Sequence, residues 1–179
     1  MRFQQRYTVK VTGVTKTSGG SVSVIRPGKL SWRYTSNQNR VVANGKLVKI
    51  YEAHNHRMYE QEVTRIRYPA PVSFLIGSEG WQSAFDFTVR DAFQERSGAF
   101  YVLLATPRHP PHRHEATYFY VDARTFFIRR VVTDYAQGNR STIDFENPQF
   151  HPALPPDEFE LSPPLGTDVY RGTGVRRVD

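Results

Sequence analysis

Leu30-Ser31-Trp32-Arg33-Tyr34-Thr35 alternates large apolar residues with small or polar ones. A period of two places Leu30, Trp32 and Tyr34 on one face of an extended strand and Ser31, Arg33 and Thr35 on the other. Just upstream, Arg26-Pro27-Gly28-Lys29 has turn chemistry. Downstream, Asn44-Gly45 joins two strand-like runs, and both positions of such a hairpin turn favour positive φ. The same alternation returns in Tyr7-Thr8-Val9-Lys10-Val11-Thr12, Phe85-Asp86-Phe87-Thr88-Val89-Arg90 and Thr142-Ile143-Asp144-Phe145. Further turns are expected at Ser18-Gly19-Gly20, Glu52-Ala53-His54-Asn55 and Gln137-Gly138-Asn139. Residues 99–105 are apolar at both parities, the pattern of a strand covered on both sides. Short strands joined by tight turns describe an antiparallel meander, and a sheet of about ten such strands curls into a barrel or half-barrel.

One helix is expected. Pro69-Ala70-Pro71 leads into Val72-Ser73-Phe74-Leu75-Ile76-Gly77, with proline placed to start a helix and glycine to end it. Val72, Leu75 and Ile76 would share a face that needs apolar cover. From Pro148 the chain is proline-rich and reads as a surface course ending in a mobile basic tail with Arg171, Arg176 and Arg177. The organisation expected is a single domain over residues 1–170, followed by a tail over 171–179.

The chain has 179 residues, 39% hydrophobic and 23% charged, a balance that fits a globular domain rather than a disordered chain. No apolar run approaches the roughly 18–20 residues of a spanning helix. The net charge of +7 favours anionic partners: nucleic acid, anionic lipid or an acidic protein. Cysteine is absent, which removes disulfides, thiolate catalysis and thiolate-ligated metals. Met1-Arg2-Phe3-Gln4-Gln5 lacks the apolar stretch of a secretory leader.

Histidine is the first candidate for chemistry. His54-Asn55-His56 and His109-Pro110-Pro111-His112-Arg113-His114-Glu115 contain two His-x-His pairs that could supply metal nitrogens. Both occupy turn-like positions, Arg108 and Arg113 would repel a cation, and Glu115 follows His114 too closely for a cupin-type site. Surface histidines are the better reading, with no metal and no cofactor. Phosphate-loop, nucleophile-elbow, zincin and dinucleotide fingerprints are missing, and Asp157-Glu158 sits in a polar loop, so no enzyme is indicated. Trp32-Arg33-Tyr34 and Tyr118-Phe119-Tyr120 interleave aromatics as stacking platforms do. Against a nucleic-acid partner, Trp32 shares its face with Leu30 and Tyr34, and the basic residues, 19 of 24 of them Arg, are spread along the chain. Aromatic residues make up 13% of the chain; they either fill the interior of a curved sheet or line an apolar cavity, and periodicity leaves both open.

Ile25-Arg26-Pro27-Gly28-Lys29-Leu30-Ser31-Trp32-Arg33-Tyr34 resembles the LolA family, periplasmic carriers that move lipoproteins to the outer membrane of Gram-negative bacteria. The family's Arg-Pro turn is followed by an apolar residue, then Trp and often an aromatic. Its Gly-Lys turn, leading into a strand that ends in Tyr, is matched by Asn44-Gly45-Lys46-Leu47 running to Tyr51. Its closing Phe-x-Phe-x-Pro-Pro-x-Gly is matched by Phe159-Glu160-Leu161-Ser162-Pro163-Pro164-Leu165-Gly166, with Leu for the second Phe. Gln137-Gly138-Asn139 to Phe145 resembles the penultimate hairpin. The four motifs run in order between Phe3 and Val169.

The resemblance implies a mainly β fold: an unclosed antiparallel β-barrel, or half-barrel, of about eleven strands with short lid helices. The family's first lid helix precedes the segment that Phe3-Gln4-Gln5 resembles, and is expected to be missing here. By resemblance, Arg26 matches the Arg that hydrogen-bonds lid backbone and holds the empty carrier closed, and Leu30 matches a Phe concerned with transfer and with the loading transporter. Alternation places Trp32, Tyr51, Phe74, Leu75, Phe87 and Leu103 on the cavity side or under the lid. The implied partners are acylated lipoproteins, an inner-membrane ABC-type lipoprotein-releasing transporter, and an outer-membrane acceptor or the outer membrane itself. The implied compartment is the periplasm. A sensor of lipid or envelope stress with the same fold, and a basic β-barrel binding nucleic acid, are the alternatives.

Overall fold

The computed structural model describes residues 1–63, 74–75, 77, 85–95, 98–108, 114–135, 137–150, 152–171 and 174–177. The described strands are β1 (Arg2–Thr8), β2 (Thr15–Ile25), β3 (Lys29–Tyr34), β4 (Arg40–Asn44), β5 (Leu47–Glu52), β6 (Arg57–Glu62), β7 (Phe85–Glu95), β8 (Gly98–Pro107), β9 (His114–Asp122), β10 (Ile128–Tyr135), β11 (Arg140–Glu146), β12 (Asp168–Arg171) and β13 (Gly174–Arg177). The fold is mainly β, as expected. The described strands number thirteen rather than about eleven, and β12 and β13 fall in the segment expected to run over the surface into a mobile tail. Of the helix expected near Val72, Phe74 and Leu75 are helical, whereas Val72, Ser73 and Ile76 lie outside the described residues.

Two compact units make up the chain: Met1 with Gly19–Glu79 and Gln149–Asp179, and Arg2–Ser18 with Gly80–Pro148. In the first unit the strand order is β2-β3-β4-β5-β6-β12-β13. Successive hairpins pair antiparallel, whereas β12 runs parallel to β6. Register aligns Val24-Leu30-Ala43-Val48 and Val22-Trp32-Val41-Ile50 on one face. The other face carries Ser31-Val42-Lys49-Glu60 and Arg33-Arg40-Tyr51-Met58-Val169. Leu30 is 0% exposed and its neighbour Ser31 1%, so β3 is covered on both sides.

The cover over the Ser31 face is the segment expected to wander over the surface. Phe159 and Leu161 are buried, and Leu161 and Val169 join Val42, Tyr51 and Met58 in one apolar cluster with Ala53 packed against it. The polar ends of this strap are tied down as well. Arg33 pairs with Glu158 at 2.6 Å, Lys49 Nζ donates to the Leu161 carbonyl at 2.8 Å, and the buried Glu60 is held by Lys49 at 3.6 Å and by Arg171. Beyond Arg171, where a mobile tail was expected, Gly174–Arg177 pairs antiparallel with β12.

The second unit orders its strands β1-β11-β10-β9-β8-β7, antiparallel throughout. One face aligns Gln5-Ile143-Val131-Phe119-Leu103-Val89, and Phe3 pairs with Phe145 on the same side. Phe3, Phe119 and Val131 are almost fully buried. Ser18-Gly19-Gly20 is not a turn: it lies inside β2, since glycine accepts extended backbone as readily as a turn. The reversal before it comes at Gly13, with φ 67° and its N–H donating to the Val9 carbonyl. Residues 99–105 are covered unevenly, because Phe100, Val102 and Leu104 are buried while Tyr101 is 41% exposed beside the edge strand β7. Among the described residues β7 pairs only with β8 and β13 only with β12, so the fold is unclosed.

Candidate functional site

The reversal between β2 and β3 is built from Arg26, Pro27 and Gly28, with a cis peptide before Pro27. Gly28 has φ 87°, and a Cβ there would lie 3.0 Å from the Gly45 Cα. The turn therefore packs backbone to backbone on the Asn44-Gly45 turn, which leaves no room for a side chain and fixes where Arg26 departs from the sheet.

From that position the Arg26 side chain reaches the helical residues Phe74 and Leu75. Its Nη2 donates to the Phe74 carbonyl at 3.2 Å and its Nε to the Leu75 carbonyl at 3.4 Å. The guanidinium also lies 5.2 Å from the centroid of the Phe74 ring, within cation–π range. A Cβ on Gly77 would meet the Arg26 Cδ at 3.4 Å, so the chain passes close along the arginine stem. The sequence marks Gly77 only as a helix end; that Arg26 packs beside it has no local signal. Helix C-terminal carbonyls lack intrahelical partners, and a cation donating to them is the expected complement.

The other expected site residues separate. Leu30 and Trp32 share the Val22 and Ala43 face, and Trp32 stacks on Tyr34 at 6.3 Å. Tyr51 does not join them. It pairs with Arg40 and Met58 on the opposite face, where Leu161 and Val169 cover it. Tyr51 is core under the strap rather than a residue on the Trp32 side. Leu75 is buried and Phe74 half-buried. In the second unit Phe87 is 39% exposed and Leu103 half-buried. Both lie on the Phe119 and Val131 face.

The chemistry in this region is that of packing and donated hydrogen bonds. His54 and His56 are exposed in the turn between β5 and β6, and His109 and His112 lie outside the described residues. Among the described residues no group of three His, Cys, Asp or Glu could hold a metal ion. No described helix is long and apolar enough to cross a membrane. Sequence reasoning missed the burial of Leu161 and the pairing of Glu158 with Arg33, both hidden in a proline-rich stretch.

A family model described as outer membrane lipoprotein carrier protein LolA matches residues 1–162. The outer-membrane lipoprotein carrier protein of Cupriavidus taiwanensis is 29% identical over 168 residues, covering 93% of this chain and 75% of the relative. That of Neisseria meningitidis serogroup C is 27% identical over 167 residues, covering 90% and 76%. Among solved structures, an uncharacterized conserved protein from Thermus thermophilus superimposes with a TM-score of 0.53 at 11% identity, over 96% of this chain and 90% of that one. This last likeness is one of fold.

Proposed function

The chain belongs to the LolA family of outer membrane lipoprotein carrier proteins, and on that premise we propose that it shelters lipoprotein acyl chains in an apolar interior and carries them across the periplasm. Its curated relatives bear the name of lipoprotein carrier, and a carrier role follows for this chain in general. The finer reading is loading by an inner-membrane ABC-type transporter and release to an outer-membrane acceptor or to the membrane itself. Residues 1–170 act in it as one half-barrel, and the work is binding, with no bond made or broken.

The observation that carries the reading is the pair of hydrogen bonds from Arg26 to the Phe74 and Leu75 carbonyls. Such a contact holds a lid segment down without chemistry. Two charge-assisted hydrogen bonds at a partly exposed site, with a cation–π contact, contribute about 2 kcal/mol. That is weak enough for cargo to displace. In this reading Leu30 and Trp32, on one face of β3, supply apolar surface for the cargo.

Energetics fit a carrier that needs a loading partner. Three acyl chains of about 16 carbons bury on the order of 45 methylenes, roughly 35 kcal/mol at about 0.8 each. That exceeds the roughly 18–21 kcal/mol ceiling of non-covalent affinity. The membrane offers the lipid a comparable refuge, so extraction draws on an external energy source, and release runs downhill.

The test is displacement of a fluorescent apolar probe from the purified chain by a synthetic triacylated lipopeptide, with the unacylated peptide as control. Acyl-dependent displacement supports the carrier. Absence of probe uptake means a filled interior and overturns it.

A further inference from the structure

On the second unit, the face opposite Phe119 holds a concavity of about 350 Å³, in which Arg6, Arg130, Arg140 and Tyr118 stand around Val132 and Thr142. Register explains its shape. Arg6, Thr142, Val132 and Tyr118 lie side by side on four neighbouring strands. One row on is Asp144-Arg130-Tyr120, and one row back is Arg140-Asp134. The short side chains of Thr142 and Val132 therefore make a floor, and the long chains around them make a rim.

The hydrogen bonding of that rim is lopsided. Arg6 Nη2 and Arg130 Nε occupy the two oxygens of Asp144, at 3.0 and 2.5 Å. Arg140 occupies both oxygens of Asp134, at 2.6 and 3.0 Å. Each guanidinium carries five N–H donors and no acceptor. With both carboxylates engaged, the concavity offers surplus donors and one surplus positive charge. The carboxylates are also sunk, 20% and 23% exposed, while the side chains of Arg6, Arg130 and Arg140 are 48%, 43% and 60% exposed.

From this arrangement we propose that the concavity is a binding site for a phosphate oxyanion. The three arginines stand on different sides of the floor. A planar carboxylate bridges two guanidiniums, as Asp144 does, whereas a tetrahedral phosphate can present oxygens to three. Thr142 lines the floor between them, and the volume sits at the small end of ligand pockets. The phosphate belongs either to a free phosphorylated solute or to an anionic lipid headgroup. The site is independent of the Arg26 contact and of the carrier reading.

The test uses the isotope-labelled full chain, followed by NMR at constant ionic strength during titration with inorganic phosphate and with glycerol phosphate. Saturable shifts at Thr142, Val132 and Arg130 are expected, absent with chloride. Arg6→Gln, which leaves Asp144 paired to Arg130, is expected to weaken binding at least tenfold. Val132→Phe, which fills the floor and removes no charge, is expected to abolish it. Flotation with phosphatidylglycerol vesicles, against phosphatidylcholine vesicles, separates the sources. Flotation that Val132→Phe removes identifies a lipid headgroup, and phosphate binding without flotation identifies a solute. Equal shifts with chloride, no shifts at these residues, or wild-type binding by Val132→Phe overturns the site.

Discussion

Arg33 and Glu158 stand 125 residues apart in the chain and meet at 2.6 Å, which fastens the proline-rich strap to β3. Glu158 is 9% exposed and Arg33 41%, so the pair is screened from one side only. Glu158→Gln keeps the shape and removes the charge. It is expected to cost about 1–2 kcal/mol, read as a lower urea midpoint with an unchanged slope. An unchanged midpoint would show that apolar packing of Phe159 and Leu161 alone holds the strap.

Arg26→Leu deletes both donors to the lid. Faster amide exchange at Phe74 and Leu75 is expected, together with slower release of bound lipopeptide, since the closed form loses about 2 kcal/mol. Release at the wild-type rate with unchanged exchange would remove Arg26 from the latch role.

Leu30 is fully buried, and this sets what substitution there can report. A carboxylate at that position has no water and no partner. Leu30→Glu is therefore expected to abolish folding rather than to give a folded chain that cannot load. Leu30→Ala is the usable probe, with an expected loss of about 2–5 kcal/mol. A cooperative unfolding transition of Leu30→Glu near that of the wild type would contradict the burial.

Gly28→Ala places a Cβ 3.0 Å from the Gly45 Cα at a residue with φ 87°. Left-handed backbone alone costs a residue with a Cβ roughly 1–2 kcal/mol. The melting temperature should fall, and it should fall further than in Gly45→Ala, where nothing lies within 4 Å of the added carbon. Equal losses would mean that backbone strain, not the contact between the turns, is what both variants feel.

Asp122 caps the reversal between β9 and β10. It accepts from the Thr125 backbone N–H at 2.8 Å, the Thr125 hydroxyl at 2.9 Å and the Arg124 N–H at 3.1 Å. The Thr125 backbone bond, then its hydroxyl, hold the carboxyl below the ordinary value. A depressed folded pKa adds stability that is present above the unfolded value and is lost as pH falls through the folded one. The stability gap between wild type and Asp122→Ala should therefore be constant at neutral pH and narrow below about pH 4. A gap independent of pH would show that the charge contributes nothing.

Local features were legible in the sequence. Alternation at Leu30, Trp32 and Tyr34 gave the face of β3, and Asn44-Gly45 gave its hairpin, because both depend on neighbours a few residues apart. Arg26 was found through resemblance, and the carbonyls it reaches are 48 and 49 residues away. Tyr51 failed for a definite reason. Alternation fixes parity within a strand, but parity between β3 and β5 depends on the register of two hairpins, which sets Ile50 rather than Tyr51 in line with Trp32. The strap failed because proline content masks Phe159 and Leu161, whose cover is the far side of a sheet. The rim of Arg6, Arg130 and Arg140 was invisible, since Arg6 reaches the other two only through the pairing of β1 with β11, more than 120 residues on.

The parallel pairing of β12 with β6 has a consequence for the order of assembly. Hairpins close quickly because their partners are near in sequence, whereas Glu60 and Arg171, which meet in that pairing, are 111 residues apart. As synthesis proceeds, Val42, Tyr51 and Met58 are made early and stay uncovered until Leu161 and Val169 arrive. The unit that holds β3 to β6 is thus completed only when residues 149–179 arrive, and its nascent meander is the stage at which a folding helper, or an aggregation partner, would find apolar surface to grip.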